Sequence, residues 1–223
     1  MLIYNSNYNM DNQKYISIVF GETGVGKSSF INAITQKNIC NVSAMRDICT
    51  SHIQIVEKKY NDGNYVFIDT PGFNDYKGDG RAFSEIKSII EKYKIRCILF
   101  LINFLERRFT QTVMENIKKI MEFFPIHNFW EHVLIIYTNA YKSKKYKFER
   151  HKSERKDKFI EFLHKGELQK FMMNKKIFIP LSLDEFYVDC DNDDFEGRYK
   201  ENKEEFEKII LEIKRRSPIF SDK

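Results

Sequence analysis

The chain carries a glycine-rich turn followed at once by a lysine and two serines, in the segment GETGVGKSS. The spacing from Gly21 to Ser28 matches the pattern G-x-x-x-x-G-K-[ST] at every fixed position. Glycines accept positive φ angles, so consecutive backbone N–H groups in such a turn can converge on a phosphate. Lys27 can reach β- and γ-phosphate oxygens, and the Ser28 hydroxyl can bind a Mg²⁺ ion that bridges them. The residues predicted to bind the nucleotide here are Glu22, Thr23, Gly24, Val25, Gly26, Lys27, Ser28 and Ser29.

A second motif with phosphate chemistry is the D-x-x-G pattern in FIDTPG. A strand would deliver Asp69 toward a Mg²⁺-bound water, and the Gly72 amide could donate to a γ-phosphate oxygen. The same four residues also suit an ordinary turn, because Pro71 and Gly72 favour one. Their position at the end of an apolar strand favours the interpretation as a γ-phosphate sensor.

A third element of such a site is a threonine that binds Mg²⁺ and touches the γ-phosphate. Thr50, in RDICTSH, precedes the strand that pairs with the one ending at Asp69. We predict that Thr50 is this ligand, together with Ser28, and that Lys27 and Thr50 assist catalysis. Thr35 and Ser51 are the alternatives.

The elements that must position these motifs alternate between strands and helices. The turn signal NDGN joins two apolar segments in the manner of a hairpin. Strands are predicted at 15–20, 52–60, 65–69, 97–102, 132–138 and 176–181, and helices at 28–37, 81–93, 110–124, within 142–164 and at 198–215. This order predicts an α/β fold: a three-layer sandwich with a mostly parallel six-stranded sheet and helices on both faces.

Composition limits the classes of protein to consider. The chain has 223 residues, 42% of them hydrophobic and 31% charged, which suits one large domain with a solvated surface. Its four cysteines form no C-x-x-C pair, so we expect no structural zinc and a reducing, cytoplasmic location. The basic stretch from Lys142 to Lys158 is typical of a solvated loop and helix face, so we expect no nucleic-acid partner. Peripheral contact with a membrane stays open.

Several segments together resemble the avirulence-induced-gene or immunity-associated (GIMAP-type) GTPases, a group related to septins. These segments are GETGVGKSSFINAI, DTPGFND, and LINFLERRFTQTVMENIKKIMEFF followed by VLIIYT. The family carries an R-[FY]-T box after its fourth strand, which here is Arg108, Phe109 and Thr110. The resemblance covers about residues 14–180 and also supports Thr50 as the switch threonine.

The resemblance implies GTP or GDP with Mg²⁺ as ligands, and a homodimer or oligomer that forms through the nucleotide faces when GTP is bound. We predict a GTP-binding domain at 14–197. Residues 1–13 are polar and Asn-rich, so we predict that they form a flexible leader. Residues 198–223 are predicted to form a C-terminal helix that packs on this domain or extends from it.

Two positions depart from the usual GTPase pattern. Guanine selectivity normally rests on a carboxylate in [NT]-K-x-D, and here Tyr141 occupies its place after Thr138 and Asn139. We predict that Thr138 and Asn139 contact the nucleotide. The loop PLSLDE offers other acceptors for the base, namely Ser182, Asp184 and Glu185. The residue after Gly72 is Phe73, where Ras-like enzymes place a glutamine that orients water.

Slow hydrolysis is therefore expected unless a partner assists. Arg108, with its neighbour Arg107, could act as an arginine finger across a dimer, or both could form ordinary surface ion pairs. Two functions follow: a slow, Mg²⁺-dependent GTPase switch, or a septin-like module that binds GTP or GDP without hydrolysing it. A nucleotide or metabolite kinase is a third alternative, which the D-x-x-G pattern disfavours.

Overall fold

Six strands form one sheet in the computed structural model, which describes residues 13–37, 40, 52–72, 81–106, 108–140, 145–190 and 198–220. Across the sheet their order is β2-β3-β1-β4-β5-β6. The strands β2 and β3 pair antiparallel, and the other four pairs are parallel. Their bounds are β1 (Lys14–Gly21), β2 (Gln54–Tyr60), β3 (Gly63–Asp69), β4 (Ile95–Asn103), β5 (Val133–Thr138) and β6 (Asp184–Tyr187).

Helices cover both faces of this sheet. They are α1 (Lys27–Thr35), α2 (Arg81–Lys92), α3 (Gln111–Phe123), α4 (Lys145–Leu163), α5 (Gly166–Asn174) and α6 (Arg198–Arg215). A short 3-10 helix, Phe129–His132, leads into β5. The predicted α/β sandwich and its mostly parallel sheet are confirmed. None of the helices in the described ranges combines the length and apolar character that crossing a bilayer requires.

The core consists of two apolar clusters, one on each face of the sheet. Ile16, Ile18 and Phe20 of β1 join the cluster that includes residues of α2, α3, α4 and α5. Tyr15 and Val19, on the opposite face of the same strand, join residues of α1 and α6. Successive side chains of a strand point to opposite faces, so a run of apolar residues in a central strand fills both layers. The division into leader, domain and closing helix stays a prediction.

Parallel pairing brings the ends of the central strands to one edge. Asp69 pairs with Val19, near the end of β1 at Gly21. Thr138, the last residue of β5, pairs with Asn103, the last residue of β4. We call this side of the sheet the carboxyl edge, and the side where β5 and β6 begin the amino edge.

The predicted last strand at 176–181 is wrong, because the sheet closes with Asp184–Tyr187 instead. Pro180 has no N–H to donate to a ladder, and Phe178 is exposed and donates its N–H to the His127 carbonyl oxygen at 2.8 Å. The run Asp184–Tyr187 ends in two buried aromatic residues that pack against β5. Helix α5 was not predicted.

Candidate functional site: a phosphate-binding turn at the carboxyl edge

The turn between β1 and α1 curls back on itself at the carboxyl edge. Its Val25 N–H donates to the Glu22 carbonyl oxygen at 3.2 Å, and the Phe30 N–H donates to the Gly26 carbonyl oxygen at 2.8 Å. Gly26 caps α1 with φ of 98°, a conformation that side chains strongly disfavour. Gly24 lies exposed at the tip, and Ser29 is partly exposed in the first turn of α1. The backbone thus has the shape that the sequence pattern predicts.

Lys27 is buried, with 6% of its surface exposed. Its ammonium group donates to the Gly21 carbonyl oxygen at 3.2 Å and to the Glu22 carbonyl oxygen at 3.0 Å. Burying a charge is costly unless it is hydrogen-bonded, and these two carbonyl groups reduce that cost. The Lys27 ammonium group is therefore held over the turn and beside the N-terminus of α1. The cation and the helix N-terminus would both attract a phosphate at this place.

Ser28 and Asp69 are joined by a buried hydrogen bond. The Ser28 hydroxyl donates to Asp69 Oδ2 at 2.6 Å, and Asp69 has no exposed surface. With its proton directed at the carboxylate, the Ser28 oxygen keeps lone pairs for a cation. Hydroxyl and carboxylate oxygens are the ligands that Mg²⁺ prefers. The donor set therefore fits a Mg²⁺ ion bound through Ser28, with Asp69 beside it.

Asn32 and Cys40 support this pair, and sequence reasoning missed both. The Asn32 side chain donates to the Cys40 carbonyl oxygen and accepts from the Cys40 N–H, each at 2.9 Å. The Cys40 thiol lies near the Asp69 carboxylate, whose negative charge acts on it. Burial, followed by the charge of Asp69, raises the pKa of this thiol to about 12. It therefore stays protonated and can donate to Asp69.

The D-x-x-G glycine lies directly against the phosphate-binding turn. A Cβ added to Gly72 would stand 2.1 Å from Thr23 Oγ1 and 2.7 Å from both the Thr23 Cα and N atoms. Such distances are far below van der Waals contact, so only glycine fits here. The segment is held from its other end, because the Thr70 hydroxyl donates to the Val19 carbonyl oxygen at 2.6 Å. The two motifs are therefore in contact.

Thr138 ends β5, and Asn139 follows it, at the same edge. The Thr138 hydroxyl donates to the Val25 carbonyl oxygen at 2.7 Å, a bond that ties the turn to the end of β5. Asn139 has φ of 55°, and its side-chain amide donates to Asn103 Oδ1 at 3.4 Å. Direct contact of either residue with a nucleotide stays a prediction. Support of the turn by Thr138 is an additional role that spacing did not reveal.

Arg108 lies exposed in the loop between β4 and α3. The other two residues of the R-F-T box hold that loop in place. Thr110 caps α3, because its side chain accepts from the Val113 N–H at 3.3 Å. The centre of the Phe109 ring lies 4.9 Å from that of Phe159 in α4. Beneath the loop, the buried Arg155 donates to the Phe104 carbonyl oxygen at 2.5 Å. The box thus includes structural contacts that connect this loop to α3 and α4.

Two carboxyl groups interact across the site. The pKa of Glu22 is raised, first by burial and then by the negative charge of Glu106, while Lys27 acts in the opposite direction. Among the described residues, Glu22 Oε1 is buried without a hydrogen-bond partner. The ionised form of Glu22 is therefore disfavoured in the folded chain.

Other predicted residues do not gather at this edge. Asp184 begins β6 at the amino edge, where it accepts from Arg216 at 2.6 Å. The prediction that the loop before it supplies a base acceptor is wrong, because parallel pairing directs that loop to the opposite edge. Thr35 donates its hydroxyl to the Ile31 carbonyl oxygen inside α1. Residues outside the described part of the chain keep their roles as predictions: Thr50, Ser51, Phe73, Arg107 and Tyr141.

A strand, phosphate-binding turn and helix in contact with a D-x-x-G segment is the arrangement of P-loop nucleotide hydrolases. The sequence model of one protein family, described as "50S ribosome-binding GTPase", matches residues 17–139, more than half of the chain. The chain belongs to this family of GTPases. This part of it is a GTP-binding P-loop GTPase domain.

Two curated proteins share part of this GTPase sequence. Translocase of chloroplast 159 from Arabidopsis thaliana is 30% identical over 95 residues, which cover 43% of this chain and 6% of that protein. The small ribosomal subunit biogenesis GTPase RsgA from Mesomycoplasma hyopneumoniae (strain 7448) is 31% identical over 87 residues, covering 37% and 29% respectively. The aligned regions thus span less than a third of either relative.

Solved structures share the GTPase fold over most of the chain. A dimerization-deficient arginine-to-alanine mutant of Toc33 from Arabidopsis thaliana has a TM-score of 0.69 at 18% identity, covering 92% of this chain and 87% of that one. Toc33 in complex with GDP and Mg²⁺ has a TM-score of 0.67 at 20% identity, covering 94% and 88%. A third structure, described with the statement that dimerization is important for the GTPase activity of atToc33 and psToc159, has a TM-score of 0.66 at 18% identity, covering 90% and 81%. At these identities the likeness concerns the fold.

Proposed function

We propose that this chain is a Mg²⁺-dependent guanine-nucleotide switch that hydrolyses GTP slowly and dimerises through its nucleotide face when GTP is bound. The observation that carries the proposal is the contact of Asp69 and Gly72 with the phosphate-binding turn. Asp69 accepts from Ser28 at 2.6 Å, and Gly72 lies against Thr23. A γ-phosphate bound beside Lys27 would have the Gly72 amide as a donor, so the segment after it would respond to loss of that phosphate.

Residues of this chain supply binding and charge stabilisation for hydrolysis. Lys27 would neutralise charge on the β- and γ-phosphates, while Ser28 and Thr50 would hold the Mg²⁺ ion. Mg²⁺ supplies further positive charge to the transferring phosphoryl group. Phe73 follows Gly72, so the chain has no glutamine at the position that orients water in Ras-like enzymes. Because the chain lacks this glutamine, we expect the isolated chain to hydrolyse GTP slowly.

Arg108 is our candidate for assistance from a second copy. It is exposed at the carboxyl edge, on a loop fixed by Thr110 and Arg155. An arginine supplied by a partner stabilises the charge of the transition state in many GTPases. The Toc33 structures, whose descriptions connect an arginine substitution with deficient dimerization and dimerization with GTPase activity, support this arrangement by analogy. Membership of the avirulence-induced-gene group, based on the R-F-T box, belongs to the same proposal.

A cytoplasmic location is also part of the proposal. The free, buried thiols of Cys40 and Cys97 support a reducing compartment. Contact of Thr138 and Asn139 with the nucleotide is part of the proposal as well, since they lie at the end of β5 on the carboxyl edge.

The test is single-turnover hydrolysis of Mg²⁺–GTP at increasing protein concentration. The wild-type rate per molecule should rise with concentration, because the arginine comes from the second copy. Arg108→Ala should remove this rise and lower the rate at high concentration by about a thousandfold, the lower range for arginine fingers. The matched control is Arg150→Ala, at an exposed α4 residue paired with Glu154 at 3.8 Å, which should behave as wild type. A negligible rate at all concentrations, with nucleotide retained, would instead favour the septin-like binding module.

A further inference from the structure

The three most exposed large apolar side chains of the described residues lie close together in the sequence. Leu181 is 83% exposed, Met173 is 65% exposed and Phe178 is 63% exposed. The other large apolar side chains in the described ranges are at most half exposed. Isolated exposed apolar residues are ordinary on protein surfaces, but a local concentration of them marks an interaction site.

The backbone that carries these side chains is held to the body of the domain. The Ile177 N–H donates to the Met172 carbonyl oxygen at 2.9 Å, and the Phe178 N–H donates to the His127 carbonyl oxygen at 2.8 Å. His164 Nε2 lies 3.0 Å from the Pro180 carbonyl oxygen. Ile177 and Pro180 are buried, so they anchor the segment while their neighbours face outward. The exposure of Phe178 and Leu181 is therefore a property of an ordered segment.

Lysines accompany the apolar side chains. Lys170, Lys175 and Lys176 are exposed, and none of them forms an ion pair with any residue in the described ranges. Two nearby acids are already neutralised, since Glu167 lies 3.3 Å from Lys118 and Asp184 lies 2.6 Å from Arg216. We define the apolar–basic surface as Met173, Phe178, Leu181, Lys170, Lys175 and Lys176.

This surface lies at the amino edge. The loop from Ile177 leads into Asp184, where β6 begins, and Phe178 bonds to His127, which precedes β5. The nucleotide turn is at the opposite, carboxyl edge. Occupation of the apolar–basic surface would therefore leave the nucleotide turn accessible.

We propose that the apolar–basic surface binds the surface of an anionic lipid bilayer. Apolar side chains flanked by such lysines have the chemistry of an interfacial membrane site, where the apolar groups enter the headgroup region and lysines attract anionic lipids. The long aliphatic part of lysine can also lie along the apolar layer with its ammonium group in water. The lysines favour an anionic bilayer over a purely apolar partner, because an apolar partner would offer no negative charge to pair with them.

The experiment is co-sedimentation of the whole chain, with GDP and Mg²⁺, on phosphatidylcholine vesicles prepared with and without phosphatidylserine. Wild type should bind the phosphatidylserine vesicles, and added salt should weaken binding. Phe178→Ser with Leu181→Ser should weaken it by roughly tenfold or more, because burial of these side chains is lost. Lys175→Ser with Lys176→Ser should weaken it by about fivefold for each lysine removed. Leu211→Ser, at a half-exposed α6 residue, is the control and should bind as wild type.

Equal binding to vesicles with and without phosphatidylserine would overturn the proposal, and so would unchanged binding by the Phe178 and Leu181 variant. Concentration-dependent self-association that this variant abolishes, without vesicle binding by wild type, would assign the surface to a second copy instead. GDP affinity, measured in parallel, should be the same for all these variants. A failure of nucleotide binding is thereby distinguished from a failure of membrane binding.

Discussion

The hydrogen bond from Thr138 to the phosphate-binding turn gives a quantitative test of how the site is held. The Thr138 hydroxyl donates to the Val25 carbonyl oxygen at 2.7 Å, and both residues are buried. Thr138→Val keeps nearly the same shape and removes the donor. A buried carbonyl group left without its donor costs about 1–3 kcal/mol. We expect the free energy of unfolding to fall by that amount if the turn keeps its conformation.

The turn can avoid part of this cost by relaxing, and the same energy then opposes nucleotide binding. A ligand that needs the curled turn binds more weakly in proportion to the fraction of molecules that have it. If the full 1–3 kcal/mol appears in binding, the GDP affinity falls by about 5- to 150-fold. The losses in stability and in affinity should therefore together account for about 1–3 kcal/mol.

The assay pairs urea unfolding of the nucleotide-free chain with calorimetric titration of Mg²⁺–GDP. Thr110→Val is the matched control, since it removes the N-cap of α3, a hydrogen bond of 3.3 Å to the Val113 N–H. Loss of such a cap costs about 0.5–2 kcal/mol of stability, and GDP affinity should stay as in wild type. If Thr138→Val retains wild-type stability and wild-type GDP affinity, the bond to Val25 does not hold the turn and the reasoning is refuted.

Two further perturbations test neighbouring contacts. Gly72→Ala would place a methyl group 2.1 Å from Thr23 Oγ1, which should displace the residue-72 amide from the γ-phosphate. The affinity for a GTP analogue should therefore fall by about tenfold or more relative to GDP, as expected when a hydrogen bond to a charged group is lost. Calorimetry measures this, and equal weakening for both nucleotides would argue against Gly72 as a γ-phosphate sensor. The pKa of Glu22 is raised by burial and by Glu106, so the folded state binds more protons than the unfolded state between the ordinary and the raised pKa. Stability should therefore fall as the pH rises through that window. Glu22→Gln should be more stable than wild type at neutral pH, and this advantage should vanish below the ordinary carboxyl pKa. Urea unfolding at several pH values measures the difference, and a difference in urea midpoint that does not vary with pH would contradict the prediction.

Local patterns predicted the parts of the fold that local physics determines. The glycine spacing before Lys27 needs positive φ angles, and the apolar runs of β1, β4 and β5 have the composition of strands buried on both faces. Parallel pairing then places Asp69 and Thr138 beside the turn without further information. This explains why five strands of the sheet and the backbone conformation of the phosphate-binding turn could be predicted from one sequence.

The contacts that could not be predicted join residues without a shared local pattern. Cys40 was one of four scattered cysteines, yet Asn32 holds its backbone, and its thiol lies near Asp69. Arg155 lay within a basic stretch that suggested a solvated helix face, yet it is buried beneath Phe104. Such contacts result from tertiary packing, which overrides the average behaviour of a residue type.

The most direct measurement is calorimetric titration of the whole chain, in excess Mg²⁺, with GDP, a GTP analogue and ATP, alongside Lys27→Ala. We predict binding of both guanine nucleotides, weaker binding of ATP, and loss of tight binding in the variant, because the cation held by Gly21 and Glu22 is removed. A folded wild-type chain that takes up none of these nucleotides, or a Lys27→Ala variant with wild-type affinity for GDP, would contradict the assignment of this turn as the nucleotide site.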